Sequence, residues 1–401
     1  MKENRKRDIL FLCQYFYPEN NSSATLPFDT AGALAAAGYS VSALCGMPKE
    51  YTKERGVPGR ETVEGVQIHR VRYFQANRKK RLGRIMNFFS FTLCVLLHLR
   101  EIGNHRMIIV YSNPPVLPFV ATIANKCFGT KFVFVAYDLY PEIALQMGSI
   151  RKGGAIDLVM TRINQKVFRH ASAVVALSNE MRETLLRLRP KLDSNRVHVL
   201  PNWAHESGTK RSNAEDGVLT VGYFGNLGVV QDVETLVSAM ERLRDADHIR
   251  FLIVGHGSSF EFVRERTEVL PNVRIEQFLT GEELECALGA CDCCVVTLRE
   301  GLRGLCMPSK YYSYLQAGTA IVSIMEPDSD LSREVVSENI GVVVSPGDVD
   351  GLCAAFIAMA NNLPAVREAG ARAAILYQDR YLRKQTLDRY TALVKSVLED
   401  V

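Results

Sequence analysis

The residue of this sequence that most clearly suggests a chemical role is a lysine at the start of a short helical segment. The stretch GLCMPSKYYSYLQAG, residues 304–318, predicts a helix that opens with Pro308, Ser309 and Lys310 and stops at Gly318. Proline is favoured in the first turn of a helix, but a lysine there adds positive charge to the positive end of the helix dipole. A bound diphosphate removes this conflict. The alternative is a lysine that simply reaches solvent.

Two glycine loops add features of phosphate binding. The first follows the strand LTVGYFG and contains Gly225, Asn226 and Gly228, and the second follows RFLIVG and contains Gly255 and Gly257. Glycine lets backbone N–H groups approach a phosphate, and a following helix N-terminus, predicted near Asp232, favours negative charge. Either loop alone is also typical of an ordinary strand-to-helix turn. Together they favour a common ligand, with His256 interpreted as a solvated loop residue.

The elements that carry these loops follow a strand-helix rhythm. Short runs rich in Val, Ile and Phe alternate with helix-period segments, which is typical of parallel βαβ units. The polar stretch HESGTKRSNAEDG interrupts this rhythm near the middle. We therefore predict two doubly wound α/β domains that face one another across a cleft, covering 1–203 and 204–377, with a final amphipathic helix, about 378–401, returning to the first domain.

Composition excludes several classes of protein. The chain has 401 residues, with 47% hydrophobic and 23% charged residues and a net charge of +4. These values indicate a globular protein and give no reason to expect nucleic-acid binding. The ten cysteines lie scattered in apolar runs, which favours a reducing cytoplasm. We interpret Cys291, Cys293 and Cys294 as a helix end that enters a buried strand, so we expect no metal and no cofactor. We interpret the basic N-terminus as a charged tail and not as a signal peptide.

Several motifs in order resemble one known family. The segments GYFGNLGVVQDVETLVSAM, FLIVGHGS, PNVRIEQFLTGEELECALGACD and PSKYYSYLQAGTAIVS look like the donor-binding domain of family 4 glycosyltransferases with the GT-B fold. QYFYPENNSSATLPFDTAGALAAAGYSVSAL, VYSNPPVLPFVATIANKCFGTKFVFVAYDLYPE and VHVLPNW are similar to its acceptor side. The nearest subgroup adds sugars, often amino sugars, to lipid-linked precursors of O-antigen or capsule.

The resemblance implies a function and a set of site residues. It implies two Rossmann-like domains and a retaining transfer of a hexosyl or N-acetylhexosaminyl group from a nucleotide-diphosphate sugar, with UDP preferred on family frequency. The acceptor would be polyprenyl-linked, and the enzyme would be peripheral on the inner face of the plasma membrane. The leaving diphosphate would be stabilised by backbone amides and Lys310. Ser309 and Ser313 would lie at the donor, and Asn202 would be a hinge or donor contact.

Two departures from the family pattern keep an alternative open. The family carries two glutamates at the positions of Leu305 and Ser313, and many relatives carry basic residues in the loop GNLGVVQD, which has none here. A weakly active or inactive relative that binds a nucleotide sugar as a regulatory subunit is the second hypothesis. A nicotinamide or flavin enzyme is disfavoured, because neither first strand is followed by G-x-G-x-x-G with an acidic residue about 20 positions on.

The first domain supplies the expected acceptor features. Asp138 and Glu142 follow the strand KFVFVAYD and could orient an acceptor hydroxyl or take its proton, or could be a cap and a loop residue. A basic cluster beside an apolar segment too short to span a bilayer predicts contact with anionic headgroups through Arg78, Lys79, Lys80, Arg81, Arg84, Phe88 and Phe89. The alternative is a buried helix after a solvated basic loop.

Overall fold

The computed structural model describes residues 6–48, 52, 56–76, 81–205, 212, 217–277, 279 and 281–399. It divides into two compact units. The first contains Met1–Pro201, Gly304–Met307 and Lys384–Val401, and the second contains Asn202–Arg303 and Pro308–Arg383. Most of the predicted linker lies outside the described residues.

The first unit is built on an eight-stranded sheet in the order β3-β4-β2-β1-β5-β6-β7-β8. The strands are β1 Arg7–Leu12, β2 Val41–Gly46, β3 Arg60–Val63, β4 Val66–Val71, β5 His105–Tyr111, β6 Lys131–Val135, β7 Ala173–Ala176 and β8 Val197–Val199. All pairings are parallel except β3 with β4. Its central strands are almost wholly buried, as the continuous apolar runs predict.

Strand β3 is the one that the sequence pattern did not predict. Its four residues alternate between exposed and half-buried positions and carry two charges, so they lack an apolar run. It forms a hairpin with β4 through Glu64 and Gly65, whose φ angles are 49° and 78°. Two positive φ angles in a two-residue loop match the twist of antiparallel strands.

Among the described residues, seven α-helices precede the second unit. They are α1 Ser22–Ala36, α2 Arg81–Leu97, α3 Leu99–Gly103, α4 Pro118–Phe128, α5 Glu142–Gln146, α6 Ala155–His170 and α7 Asn179–Leu188. These helices belong to the first unit, and each lies between two successive strands of its sheet.

The second unit has a six-stranded parallel sheet in the order β11-β10-β9-β12-β13-β14. Its strands are β9 Leu219–Asn226, β10 Ile249–His256, β11 Val273–Glu276, β12 Cys293–Thr297, β13 Ala320–Ile324 and β14 Gly341–Val344. Its helices are α8 Val233–Arg242, α9 Phe260–Thr267, α10 Glu282–Gly289, α11 Lys310–Gln316, α12 Asp330–Ser337, α13 Val349–Ala360 and α14 Leu363–Arg380. Cys293 and Cys294 lie in buried β12, in agreement with the prediction.

The last helix, α15 Arg383–Glu399, packs on the first unit. Lys131 Nζ donates to the carbonyl of Val397 at 2.8 Å, and Arg389 donates to the carbonyl of Val199. The first unit resumes at Lys384, not at the predicted residue 378, because α14 continues to Arg380 within the second unit.

A second departure from the predicted domains is the short segment Gly304–Met307, which belongs to the first unit. The carbonyl of Leu305 accepts a 2.8 Å hydrogen bond from the N–H of Leu139, and Cys306 forms an isolated antiparallel bridge with Asp138. Backbone pairing of this kind has no side-chain periodicity and therefore leaves no mark in the sequence.

Candidate functional site

The two predicted glycine loops of the second unit lie side by side. Strands β9 and β10 pair in parallel, with Gly225 opposite Gly255 and Asn226 opposite His256. Beyond the strands, the N–H of Leu227 donates to the carbonyl of His256 at 2.7 Å. The register of the sheet therefore joins the two loops into one surface.

Two of these glycines are required by the backbone. Gly225 has a φ angle of 113°, which residues with side chains rarely adopt. A Cβ on Gly255 would lie 2.7 Å from the carbonyl oxygen of Gly225, closer than non-bonded atoms can approach. The same geometry brings Lys310 near the first turn, because a Cβ on Gly225 would be 3.7 Å from Cε of Lys310.

Lys310 is the first residue of α11, and its side chain lies beside the Gly225 turn at the carboxyl end of β9. Its Nζ atom lies 3.4 Å from the centroid of the Tyr223 ring. That nitrogen is inaccessible to solvent and has no hydrogen-bond partner among the described residues, although the rest of the side chain is partly accessible. Burial holds the pKa of the Lys310 ammonium well below its usual value. Pro308 precedes the helix, and Ser309 is its N-cap, which corrects the predicted first-turn position of the proline.

The helix that carries Lys310 is fixed by buried tyrosines. The hydroxyl of Tyr314 donates to the carbonyl of Phe224 at 3.2 Å and accepts from its N–H at 2.8 Å. The hydroxyl of Tyr311 donates to Glu334 at 2.7 Å. Because Tyr314 bonds to the end of β9, α11 and the first glycine loop are held as one body.

Two expectations about this region need correction. His256 is half-buried, not fully solvated, and burial together with the nearby charge of Lys310 lowers its pKa. The N-terminus of α8 is already capped, because the Asp232 carboxylate accepts from the N–H of Thr235 at 3.3 Å. A carboxylate at that position repels an anion, so α8 does not supply the phosphate-binding helix terminus that the sequence suggested.

The remaining predicted donor residues lie near α11. Ser313 is half-buried on the helix itself. Asn202 is buried, and its backbone forms a hydrogen bond with the hydroxyl of Tyr312. Asn226 lies in the first glycine loop, where the Tyr223 hydroxyl donates to its carbonyl at 2.8 Å. Gly228 donates its N–H to the side chain of Gln231 at 2.9 Å.

Asp138 lies at the end of β6 in the first unit. Burial raises the pKa of its carboxyl to about 6. The Ser112 hydroxyl accepts from the backbone N–H groups of Tyr137 and Asp138 at 3.1 and 3.0 Å, which fixes the turn. A small pocket beside it is lined by Ser112, Pro115, Phe134, Asp138, Leu139, Tyr140, Asn164 and Phe168.

Glu142 has a different environment from Asp138. Its carboxylate forms a two-point ion pair with Arg189, with Nη1–Oε1 and Nη2–Oε2 distances of 2.7 and 3.0 Å. The Arg189 guanidinium also lies 5.0 Å from the centroid of the Phe168 ring. Glu142 is thus occupied in joining α5 to α7.

Helix α2 has two apolar faces. One is buried and contains Phe91 and Val95, while the opposite face leaves a stripe at i, i+3, i+7 and i+11 in solvent. The exposed fractions along this stripe are 43%, 62%, 61% and 80% for Met86, Phe89, Leu93 and Leu97. Phe88, predicted as a contact, is only half exposed. Arg78, Lys79 and Lys80 lie outside the described residues, and only the backbone of Arg81 and Arg84 is described.

Within the described ranges, no single helix is long and apolar enough to cross a membrane. Two consecutive helical segments, Val349–Ala360 and Leu363–Glu399, are together long and apolar enough to cross a membrane, but the chain bends by 100° between them.

Sequence reasoning missed Tyr223 and Glu334. Tyr223 occupies an ordinary position of a buried strand, and Glu334 is one of several acidic residues on a surface helix. Their relation to Lys310 and α11 arises from strand register and helix packing, for which no local signal exists.

Two α/β units with largely parallel sheets are the architecture of the GT-B fold. Residues 28–203 match the family model "Glycosyl transferase 4-like domain", and residues 218–362 match "Glycosyl transferases group 1". Together with the relatives described below, these matches show that the chain belongs to the family 4 glycosyltransferases.

Three known proteins illustrate the similarity. The probable glycosyltransferase WbjE of Pseudomonas aeruginosa is 26% identical over 349 residues, which cover 82% of this chain and 84% of that protein. The putative colanic acid biosynthesis glycosyl transferase WcaI of Escherichia coli K12 is 24% identical over 297 residues, covering 70% and 72%. The crystal structure of Anabaena HepE with UDP and glucose has a TM-score of 0.71 at 13% identity, covers 97% and 100%, and shows a shared fold.

Proposed function

We propose that this glycosyltransferase moves a sugar from a nucleotide-diphosphate donor, with UDP as the preferred nucleotide, to a polyprenyl-linked acceptor in surface polysaccharide biosynthesis. The relatives support the polysaccharide context, since one of them is named for colanic acid. The UDP bound to the structural neighbour HepE supports the choice of nucleotide. Retention of configuration and a hexosyl or N-acetylhexosaminyl group follow from the family resemblance.

The buried Nζ atom of Lys310 is the observation that carries the donor site. A buried amine without a hydrogen-bond partner among the described residues costs free energy that a protein core does not normally tolerate. An anion placed at the Gly225 turn would give the amine a partner and favour its charged form. In transfer, charge develops on the departing diphosphate, and a preorganised cation at that point stabilises the transition state.

The acceptor is assigned to the first unit. Asp138, with a pKa near 6, is mostly ionised at neutral pH and can take the proton of an acceptor hydroxyl. Glu142 is a weaker candidate because Arg189 already holds its carboxylate.

The exposed stripe of α2 supports peripheral binding to the inner face of the plasma membrane. Four exposed apolar side chains on one helix face follow directly on the basic sequence of residues 78–84. That combination suits an interfacial helix, with its apolar side at the acyl boundary and its basic end at anionic headgroups. A lipid-linked acceptor would be reached from this position.

The proposal is tested first by calorimetric titration with UDP, GDP, ADP and NAD. We expect one nucleoside diphosphate to bind, and Lys310→Ala to abolish that binding while Lys384→Ala, at an exposed lysine, leaves it unchanged. Absence of binding by all four ligands would overturn the donor site.

One observation favours a second function. The positions at which the family carries its two glutamates hold Leu305, whose side chain is buried in the first unit, and Ser313. A chain that binds the nucleotide but does not hydrolyse or transfer the sugar would be a regulatory relative. Assay of UDP release with and without a lipid acceptor separates the two, since only the enzyme would turn over.

A further inference from the structure

A cluster of two histidines and a glutamate lies in the first unit, away from the residues assigned to donor and acceptor. His69 is on β4, His98 is the single residue between α2 and α3, and Glu101 is on α3. One ring nitrogen of each histidine and a carboxylate oxygen of Glu101 lie within 4.8 Å of one another. All three residues are half-buried, so solvent ions can reach them while their side chains are held in place.

The internal geometry of the cluster is that of metal ligands. Nδ1 of His69 lies 3.1 Å from both oxygens of Glu101. Two ligands about 2.1 Å from a tetrahedral Zn²⁺ ion are separated by about 3.4 Å, so the 3.1 Å contact of this pair is close to the required spacing. Without a metal, the same contact is satisfied by a proton shared between the imidazole and the carboxylate.

His98 adds a second feature of metal sites. Its Nδ1 lies 2.8 Å from the carbonyl of Cys94, and a carbonyl accepts only from a protonated nitrogen. The proton is therefore held on Nδ1, which leaves the lone pair of Nε2 for a metal. Histidines that ligate metals commonly donate their other ring N–H in this way. The centroids of the His69 and His98 rings lie 5.1 Å apart, with an interplanar angle of 78°.

We propose that His69, His98 and Glu101 bind one divalent transition-metal ion, with Zn²⁺ favoured by two imidazoles and one carboxylate. Three protein ligands leave a fourth position for water. Metal binding places the N–H of His69 on Nε2, so that the Nδ1 lone pair faces the ion. It ties β4 to the break between α2 and α3, and so holds the C-terminal end of the helix that bears the exposed stripe. The site is independent of the donor and acceptor residues.

The chain offers a matched control. His170 also ends a helix, and its Nδ1 lies 2.8 Å from the carbonyl of Lys166, four residues earlier, as in His98. It does not belong to the cluster. His170→Gln therefore removes a histidine with the same local bonding and no role in the proposed site.

The experiment is titration of chelator-treated protein with Zn²⁺, followed by calorimetry and by the melting temperature. We expect one ion per chain and a higher melting temperature. His98→Gln and His69→Gln should each weaken binding by at least about tenfold, and His170→Gln should leave it unchanged. Unaltered affinity in the first two variants, or no binding by the wild type, would overturn the proposal.

The absorption spectrum of bound Co²⁺ identifies the type of ligand without relying on the melting temperature. Exposed Cys127 and Cys286 are alternative ligands on this chain. The proposed site should give visible Co²⁺ absorption without a thiolate-to-metal band in the near ultraviolet, and His98→Gln should remove it even if that variant melts at the wild-type temperature. A thiolate band that persists in Cys127→Ser and Cys286→Ser, or a spectrum unaltered by His98→Gln, would contradict the assignment.

Discussion

The ammonium nitrogen of Lys310 lies 3.4 Å from the centre of the Tyr223 ring, beside the Gly225 turn. The ring face provides some electrostatic compensation, but it accepts no proper hydrogen bond from the amine. Burial of this lysine therefore lowers the free energy of unfolding of the ligand-free protein. Such a cost is expected where a charged group waits for a ligand of opposite charge.

Replacing this lysine should make the free protein more stable. Lys310→Met keeps an unbranched side chain, one atom shorter than lysine, and removes a buried amine without a partner among the described residues. We expect the free energy of unfolding to rise by about 1–3 kcal/mol in chemical denaturation without ligand. Lys384→Met at an exposed site is the control and should change it little. A less stable Lys310→Met protein would show that the amine has a favourable structural role.

The same lysine should couple nucleotide binding to protons. Its pKa is lowered in the free protein, and a bound diphosphate would raise it, so binding takes up a proton when the pH lies between the two values. Affinity for UDP should accordingly fall as pH rises from the lower of these two pKa values to the higher. Calorimetry in buffers of different ionisation enthalpy measures the uptake, and Lys310→Met should abolish it if any binding remains. Proton release on binding would contradict this account.

Asp138 should control the pH dependence of transfer. With a pKa of about 6, its carboxyl is protonated at lower pH and cannot accept a proton, so the rate should rise with pH through about 6. Asp138→Asn should lower turnover by roughly 100-fold or more and leave donor affinity unchanged.

The stability of the Asp138→Asn variant checks the origin of that pKa. Because the folded carboxyl has a raised pKa, its ionisation opposes folding at pH 7 and ceases to do so as pH falls below about 4. The variant should be more stable than the wild type at pH 7, and the difference should shrink between pH 6 and 4. A difference that is constant with pH would exclude burial of the charged form as the cause.

Glu142→Gln is expected to act on stability more than on chemistry. It removes the charge that pairs with half-buried Arg189 and should lower the free energy of unfolding by about 1.5–3 kcal/mol. Turnover by the folded fraction should decrease far less than in Asp138→Asn. A folded Glu142→Gln enzyme as slow as Asp138→Asn would assign the glutamate to catalysis.

The exposed stripe of α2 should bind anionic lipid. Replacing Phe89 and Leu93 by aspartate adds negative charge to the apolar face and should release the protein from vesicles containing phosphatidylglycerol in a flotation assay. Ile375, exposed to 60% on α14, provides a matched control through Ile375→Asp. Equal flotation of the double variant and the wild type would exclude the stripe as the contact.

The sequence by itself determined the fold class and the location of the two glycine loops. Continuous apolar runs are a local signal, because strands buried on both faces require an apolar residue at each position. The glycines after LTVGYFG and RFLIVG are also a local signal, because the special backbone angles of these turns favour glycine. Lys310 could also be recognised from the sequence alone, because its positive charge is unfavourable at the N-terminus of a helix.

Only the tertiary structure decided what surrounds those residues. It placed Lys310 over Tyr223, paired Glu142 with Arg189 and brought His69 to His98 and Glu101. These relations join residues far apart in the chain, and they depend on sheet register and helix packing. Neither leaves a periodic signal in the sequence, so chemistry that arises from them becomes visible only when the chain is folded.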